Sequence, residues 1–142
     1  MPPDTIAHAT CIAWEGRGIL IRGPSGSGKS TLALGLMAHG AVLVADDRVV
    51  LTRHEDQVIA DAPPAIRGMI EARGLGLLNA DVAGPVPVAL VVEMGGEMPE
   101  RLPDARKTDL SGTALPLLHG WDSPHFIAAL LQYLKAGRRD DI

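Results

Sequence analysis

Between residues 23 and 31 the chain reads Gly-Pro-Ser-Gly-Ser-Gly-Lys-Ser-Thr, with glycines at 23 and 28 ahead of Lys29 and Ser30. This spacing is that of a phosphate-binding P-loop. Such a loop turns successive backbone N–H groups into a concave nest for phosphate oxygens. The helix that follows adds its unpaired N–H groups and the positive end of its dipole. Gly23, Pro24, Ser25, Gly26, Ser27, Gly28, Lys29, Ser30 and Thr31 are therefore the candidate nucleotide-binding residues. Lys29 can reach the β- and γ-phosphates, and the Ser30 hydroxyl can hold Mg²⁺.

A bound Mg-nucleotide needs carboxylates, and the chain offers them at Asp46 and Asp47, directly after the apolar run Ala41-Val42-Leu43-Val44-Ala45. An acid at the carboxyl end of a buried strand beside the loop is suited to binding the metal or to accepting the proton of an acceptor hydroxyl. Successive strand residues face opposite ways, so a strand running through both would aim only one of them at the phosphates. Glu71 and Arg73 lie in a Gly-rich stretch; Glu71 could be a second metal ligand, and Arg73 suits the charge of a transferring phosphoryl group. His8, on a half-apolar strand, reads from its surroundings as structural. His39, His119 and His125 have no metal-ligand spacing with Cys11 or with one another.

These residues require a scaffold. Residues 1–5 form a lead-in, and Ile6–Trp14 alternates as a strand with Ala7, Ala9, Cys11 and Ala13 on its small-residue face. A turn at Glu15–Gly18 returns the chain through Ile19–Arg22 into the loop, predicting an antiparallel hairpin at the front of the sheet. The helix over 29–39 carries Leu32, Ala33, Leu36 and Met37 on one face, and Gly40 follows it. Val49–Thr52 and Gln57–Ala60 predict a second hairpin. Val86–Glu93 is a further strand whose Pro87 marks its beginning or a sheet edge. The stretch 95–113 is polar and turn-rich. Ser123 and Pro124 open a last helix as N-cap and first residue, with Phe126, Ile127, Leu130, Leu131 and Leu134 as its stripe. The end from Gly137 reads as frayed. The expected class is α/β, a single domain over 1–142 with a mixed sheet and flanking helices.

The 142 residues are 46% apolar but hold only four aromatics, so the core is to be built from Val, Leu, Ile and Ala. A net charge of −4 with no basic block argues against nucleic-acid binding. A single cysteine rules out an intramolecular disulfide and any all-cysteine metal site. With no leader pattern and no apolar run near the roughly 18 residues of a membrane span, the expectation is a cytoplasmic protein.

Four segments together carry a resemblance: His8 in Ala-His-Ala-Thr-Cys-Ile-Ala, the loop, Leu43-Val-Ala-Asp-Asp-Arg-Val, and Ile70-Glu-Ala-Arg-Gly-Leu-Gly-Leu-Leu-Asn. In order and spacing, from His8 to Asn79, the chain resembles the catalytic domain of HPr kinase/phosphorylase. The resemblance implies ATP- and Mg²⁺-dependent phosphorylation of a serine on HPr, the small phosphocarrier of the bacterial sugar phosphotransferase system. It also implies a sheet akin to that of phosphoenolpyruvate carboxykinases and a homo-oligomer, the hexamer being the family form. Carried over residue by residue, Lys29 binds phosphates, while Ser30, Glu71 and Asp46 are the metal ligands. Asp47, with Asp46 as the alternative, takes the serine proton. His8 and Arg73 join the catalytic surroundings, and Arg101 matches a later catalytic arginine. Where the family has Pro-Val-Arg-Pro-Gly-Arg, tied to dephosphorylation, this chain has Leu115-Pro-Leu-Leu-His-Gly-Trp121 without arginine. The expectation is thus a kinase-only form without the family's separate N-terminal domain. A P-loop kinase for a small metabolite and a non-catalytic ATP-sensing module are the alternatives.

Overall fold

The computed structural model describes residues 4–140, so most of the lead-in and the last two residues fall outside it. Eleven strands, two α-helices and one short 3-10 helix (Pro64–Ile66) follow one another along the described chain. The strands are β1 (Thr5–Ala7), β2 (Ala9–Trp14), β3 (Arg17–Arg22), β4 (Val42–Ala45), β5 (Val49–His54), β6 (Gln57–Asp61), β7 (Met69–Ala72), β8 (Gly76–Asn79), β9 (Val86–Met94), β10 (Arg106–Leu110) and β11 (Thr113–Gly120). The helices are α1 (Lys29–Met37) and α2 (Pro124–Ala136).

The main sheet runs β1-β5-β6-β9-β3-β2-β4, with β11 joining β9 and β10 joining β11. It is mixed, as expected. β2 and β3 form the anticipated antiparallel hairpin through Glu15 and Gly16, both at positive φ, the geometry that suits a two-residue turn to the twist of its strands. β3, β9 and β11 are parallel to one another. β9 begins beside β6, where Ile59 faces Pro87, and ends beside β11, where Leu117 faces Val91. Pro87 therefore starts a central strand rather than marking an edge.

Both helices lie on one face. Leu32, Ala33 and Leu36 of α1 and Phe126, Leu130, Leu131 and Leu134 of α2 share a core with Ile12, Ile19 and Ile21 of the sheet. The other face is covered not by a helix but by the curl of the sheet itself. There, Val49, Leu51, Val58 and Ala60 of β5 and β6 fold over Ala9, Cys11 and Leu20. The small-residue face of β2 permits this close approach. The expected flanking helices thus occupy one side only. α1 and α2 touch closely enough that a Cβ on Gly35 would stand 2.6 Å from the Ile127 side chain. Ser123 caps α2 by accepting the N–H of His125 at 3.1 Å.

Three stretches differ from the sequence reading. Ile6–Trp14 is broken by a bend at His8, with β1 leaving to pair with β5. The Gly-rich segment after Pro63-Pro64 is a separate two-stranded ribbon, β7–β8. Part of the polar stretch is β10, which pairs with β11. After α2, Arg138 donates to the Pro103 carbonyl and pairs with Asp140, so residues 138–140 are held rather than frayed; the last two residues lie outside the described ones.

Candidate active site

The loop between β3 and α1 adopts its shape because its glycines meet conditions that other residues do not. Gly23, at φ 146°, lies so near the end of β9 that a Cβ would stand 2.5 Å from the Met94 carbonyl oxygen. Gly26 and Gly28 are left-handed, at φ 81° and 98°. Gly28 is also the N-cap of α1 and supplies no side-chain acceptor, and the first turn holds no acidic residue. The first-turn N–H groups of α1 thus have no side-chain cap, the arrangement that accepts an anion. Lys29 Nζ folds back over the loop, donating to the carbonyls of Gly23 at 2.8 Å and Pro24 at 3.1 Å. Ser27 Oγ is buried without a hydrogen-bond partner.

Asp46 follows β4 and is 7% exposed. Its Oδ1 accepts the hydroxyls of Thr10 (2.9 Å) and Ser30 (2.7 Å), and its Oδ2 accepts the Glu71 N–H at 2.9 Å. One carboxylate therefore joins β2, α1 and β7. Its charge is stabilised by three donors, and hydrogen bonds to an ionised acceptor are the stronger kind. Asp47 behaves differently. β4 has ended, φ turns to 69°, and the side chain is 75% exposed, with Arg48 only loosely paired at 4.0 Å. Its backbone carbonyl accepts the Ala9 N–H at 3.2 Å. The strand does not run through both acids; the chain turns between them.

These groups line one cleft of about 240 Å³. Ser25, Gly26, Gly28, Lys29, Ser30 and Thr31 form one wall; Asp46, Asp47, Glu71 and Arg73 form the facing side. Of the predicted loop residues, Gly23, Pro24 and Ser27 are not in the cleft lining, and two of the predicted catalytic residues lie elsewhere. His8 is exposed at the bend before Ala9, outside the cleft lining. Arg101 lines a second cavity, of about 830 Å³, which meets the loop at Pro24. The cleft also contains two residues that the sequence reading passed over. Thr10 is a polar position in an otherwise apolar strand, a signal available in the pattern. Asp122 packs on Gly28, where a Cβ would stand 3.0 Å from its own Cβ; preceding the Ser123 cap, it reads in sequence as ordinary helix-start chemistry. Among the described residues no group of three or more His, Cys, Asp or Glu is gathered as a metal site. No helix there is long and apolar enough to cross a membrane.

The model of the HPr Serine kinase C-terminal domain matches residues 1–84. The chain is 37% identical over 131 residues to HPr kinase/phosphorylase of Geobacillus kaustophilus, an alignment covering 83% of this chain and 42% of that one. It is 35% identical over 99 residues to HPr kinase/phosphorylase of Mycoplasma mycoides, covering 65% of this chain and 32% of the relative. The chain thus spans less than half the length of these curated relatives. The solved Hpr(Ser) kinase/phosphatase from Coxiella burnetii superposes with a TM-score of 0.80 at 26% identity, covering 92% of this chain and 96% of that one. A loop, an acid pair and a Glu-x-Arg-Gly stretch brought to one cleft, on a fold shared over nearly the whole chain, place this protein in the HPr serine kinase C-terminal domain family.

Proposed function

We propose that the chain catalyses ATP-dependent phosphorylation of a serine on HPr. The observation that carries this reading is the single cleft in which the uncapped α1 terminus and Lys29 face Asp46, Asp47, Glu71 and Arg73. The residues fit a Mg-nucleotide. The first turn of α1 has no side-chain cap, Lys29 donates to backbone carbonyls that a phosphate can replace, and Ser30 with Asp46 offers the hard oxygen donors that Mg²⁺ takes. Mg²⁺ keeps several waters and shares phosphate oxygens, so one or two carboxylates suffice. Ser30 and Asp46 are its holders here, with Glu71 beside them. When bound, the metal neutralises charge on the transferring phosphoryl group.

The chain's own residues do the rest. Lys29 exchanges the Gly23 and Pro24 carbonyls for phosphate oxygens, and the first-turn N–H groups of α1 orient them. Asp46, its lone pairs engaged by three donors, holds the metal side rigid. Asp47, exposed at the rim and not tied to that network, is free to accept the proton of an incoming serine hydroxyl. Arg73 balances charge from the facing side. His8, outside the cleft, acts in this reading through the surrounding surface, and Arg101 acts from the wall of the neighbouring cavity. The segment before Trp121 carries no arginine, which favours a kinase without phosphorylase activity. The proposed setting is the cytoplasm, and the proposed assembly a homo-oligomer, with a hexamer the form to seek by light scattering.

Incubating the protein with HPr, Mg²⁺ and γ-labelled ATP tests the reading. Label on an HPr serine is expected, and its absence sinks the proposal. Adding inorganic phosphate to phospho-HPr should then release little label.

A further inference from the structure

The second cavity has no part in the transfer chemistry above, yet it is the larger of the two and shares Pro24 with the loop. We propose that it receives the nucleoside half of the nucleoside triphosphate whose phosphates lie on the loop. This rests on the kinase reading.

The topology sets the direction. β3, which feeds the loop, has β2 and β4 on one side and β9 and β11 on the other. Asp46 leaves the end of β4, so the metal end of a bound nucleotide belongs on that side. The remainder of the ligand extends toward the opposite side, over the carboxyl ends of the parallel strands β9 and β11. Ligands of open α/β sheets bind in that crevice, and there the cavity opens.

Its chemistry suits a nucleoside better than a phosphate. Trp121 packs against Phe126 with centroids 5.0 Å apart and a 44° tilt, and against His125 at 6.1 Å and 33°. These three rings and Met98, 67% exposed, give an aromatic and polarisable wall for a base. Four carboxylates line the cavity against three arginines. An anion gains nothing from that balance, whereas ribose hydroxyls and an exocyclic amine find acceptors. Arg138, donating to the Pro103 carbonyl, ties the outer loop to the end of α2 and keeps the cavity walled. Arg101 then faces the nucleoside, which accounts for its distance from the acid pair. Its volume of about 830 Å³ lies within the roughly 300–1,000 Å³ typical of small-molecule sites.

The test compares calorimetric binding of Mg-ATP with that of Mg-tripolyphosphate, which carries phosphates but no nucleoside. The wild type should bind ATP the more tightly. Trp121→Ala should weaken ATP by roughly 5- to 100-fold, the scale of base–aromatic stacking, and leave tripolyphosphate unchanged. Trp121→Phe should recover most of the loss. Ala129→Met, at an exposed helical position on the cavity wall, should likewise lower ATP affinity alone while leaving the fold intact. The inference is overturned if both variants bind ATP like wild type, or if the two ligands weaken equally. A wild type that binds neither ligand overturns the kinase reading and this one together. Serine phosphorylation that persists alongside equal weakening overturns the nucleoside site alone.

Discussion

Asp46 offers the sharpest test, because one side chain serves both architecture and chemistry. Asp46→Ala removes the acceptor for Thr10, Ser30 and the Glu71 N–H at once. Hydrogen bonds to a charged group contribute about 1.5–3 kcal/mol each, and an orphaned buried donor costs about 1–3 kcal/mol. The Ser30 and Thr10 hydroxyls can turn toward the open cleft, which returns part of this, so the net loss should be about 3 kcal/mol. For a chain of this size that lowers Tm by roughly 6–12 °C. Asp46→Asn should cost far less. Its carbonyl can keep the Glu71 N–H, while its amide donates to two hydroxyls that rotate to accept, leaving a loss of about 1 kcal/mol. Phosphoryl transfer should nonetheless fall in both, by on the order of 10²-fold or more, since both remove the charge aimed at the metal. Thermal unfolding followed by circular dichroism, with the labelled-ATP assay alongside, separates the two effects. An Asp46→Ala protein melting within 2 °C of wild type would refute the three-element latch. Thr10→Val combined with Asp46→Asn adds a check, because contacting residues should give a non-additive pair.

Other outcomes follow from single features. Asp47→Gly removes a carboxylate from a left-handed position that glycine adopts without strain. It should abolish transfer while leaving Tm unchanged or slightly raised, as read by melting and by the phosphorylation assay. Gly23→Ala forces a Cβ against the Met94 carbonyl, two backbones that cannot both hold their places; ATP binding by calorimetry should be lost and Tm lowered. Cys11 is fully buried, and burial pushes its thiol from 9.0 up to about 12 despite the Ile19 backbone hydrogen bond, which acts the other way. The native thiol should therefore resist thiol reagents until the protein unfolds. Between about pH 9 and 12 the unfolded chain loses this proton and the folded chain keeps it, so stability should fall by about 1.4 kcal/mol per pH unit. Cys11→Ala should flatten that slope in urea titrations across the window.

What the sequence disclosed was set by short-range rules. The loop, the β2–β3 hairpin, β5–β6 and the Ser123 cap each depend on neighbours a few residues away, and each was legible. β7–β8 was not. Only Ile70 of its eight residues is buried, so the ribbon never alternates apolar with polar, and Gly74 and Gly76 read as loop. β10 hides for a similar reason, being polar throughout except for Leu110, while Pro116 in β11 sits where that strand has β10 alone beside it. The candidate site divides in the same way. The Gly, Lys, Ser and Asp types could be named from spacing, but not the contrast between a latched Asp46 and a free Asp47. That contrast arises from Thr10 and Glu71, 36 and 25 residues away in the chain.

The seat of Gly23 on the Met94 carbonyl has a consequence for synthesis and for dissection. The matched family model ends at residue 84, yet the floor of the loop is laid by residue 94, and Gly28 is backed by residue 122. The recognisable part of the chain is therefore not a module that can be cut out and moved. A nascent chain at residue 84 already displays its whole phosphate signature, but the strand that shapes the loop has not been made. The loop can take its binding form only after β9 has paired with β3 across some seventy residues, as Ile21 does with Val92. Slow, non-local pairing of this kind governs folding rate, so competence to hold a nucleotide should appear only once β9 has been made and has paired with β3.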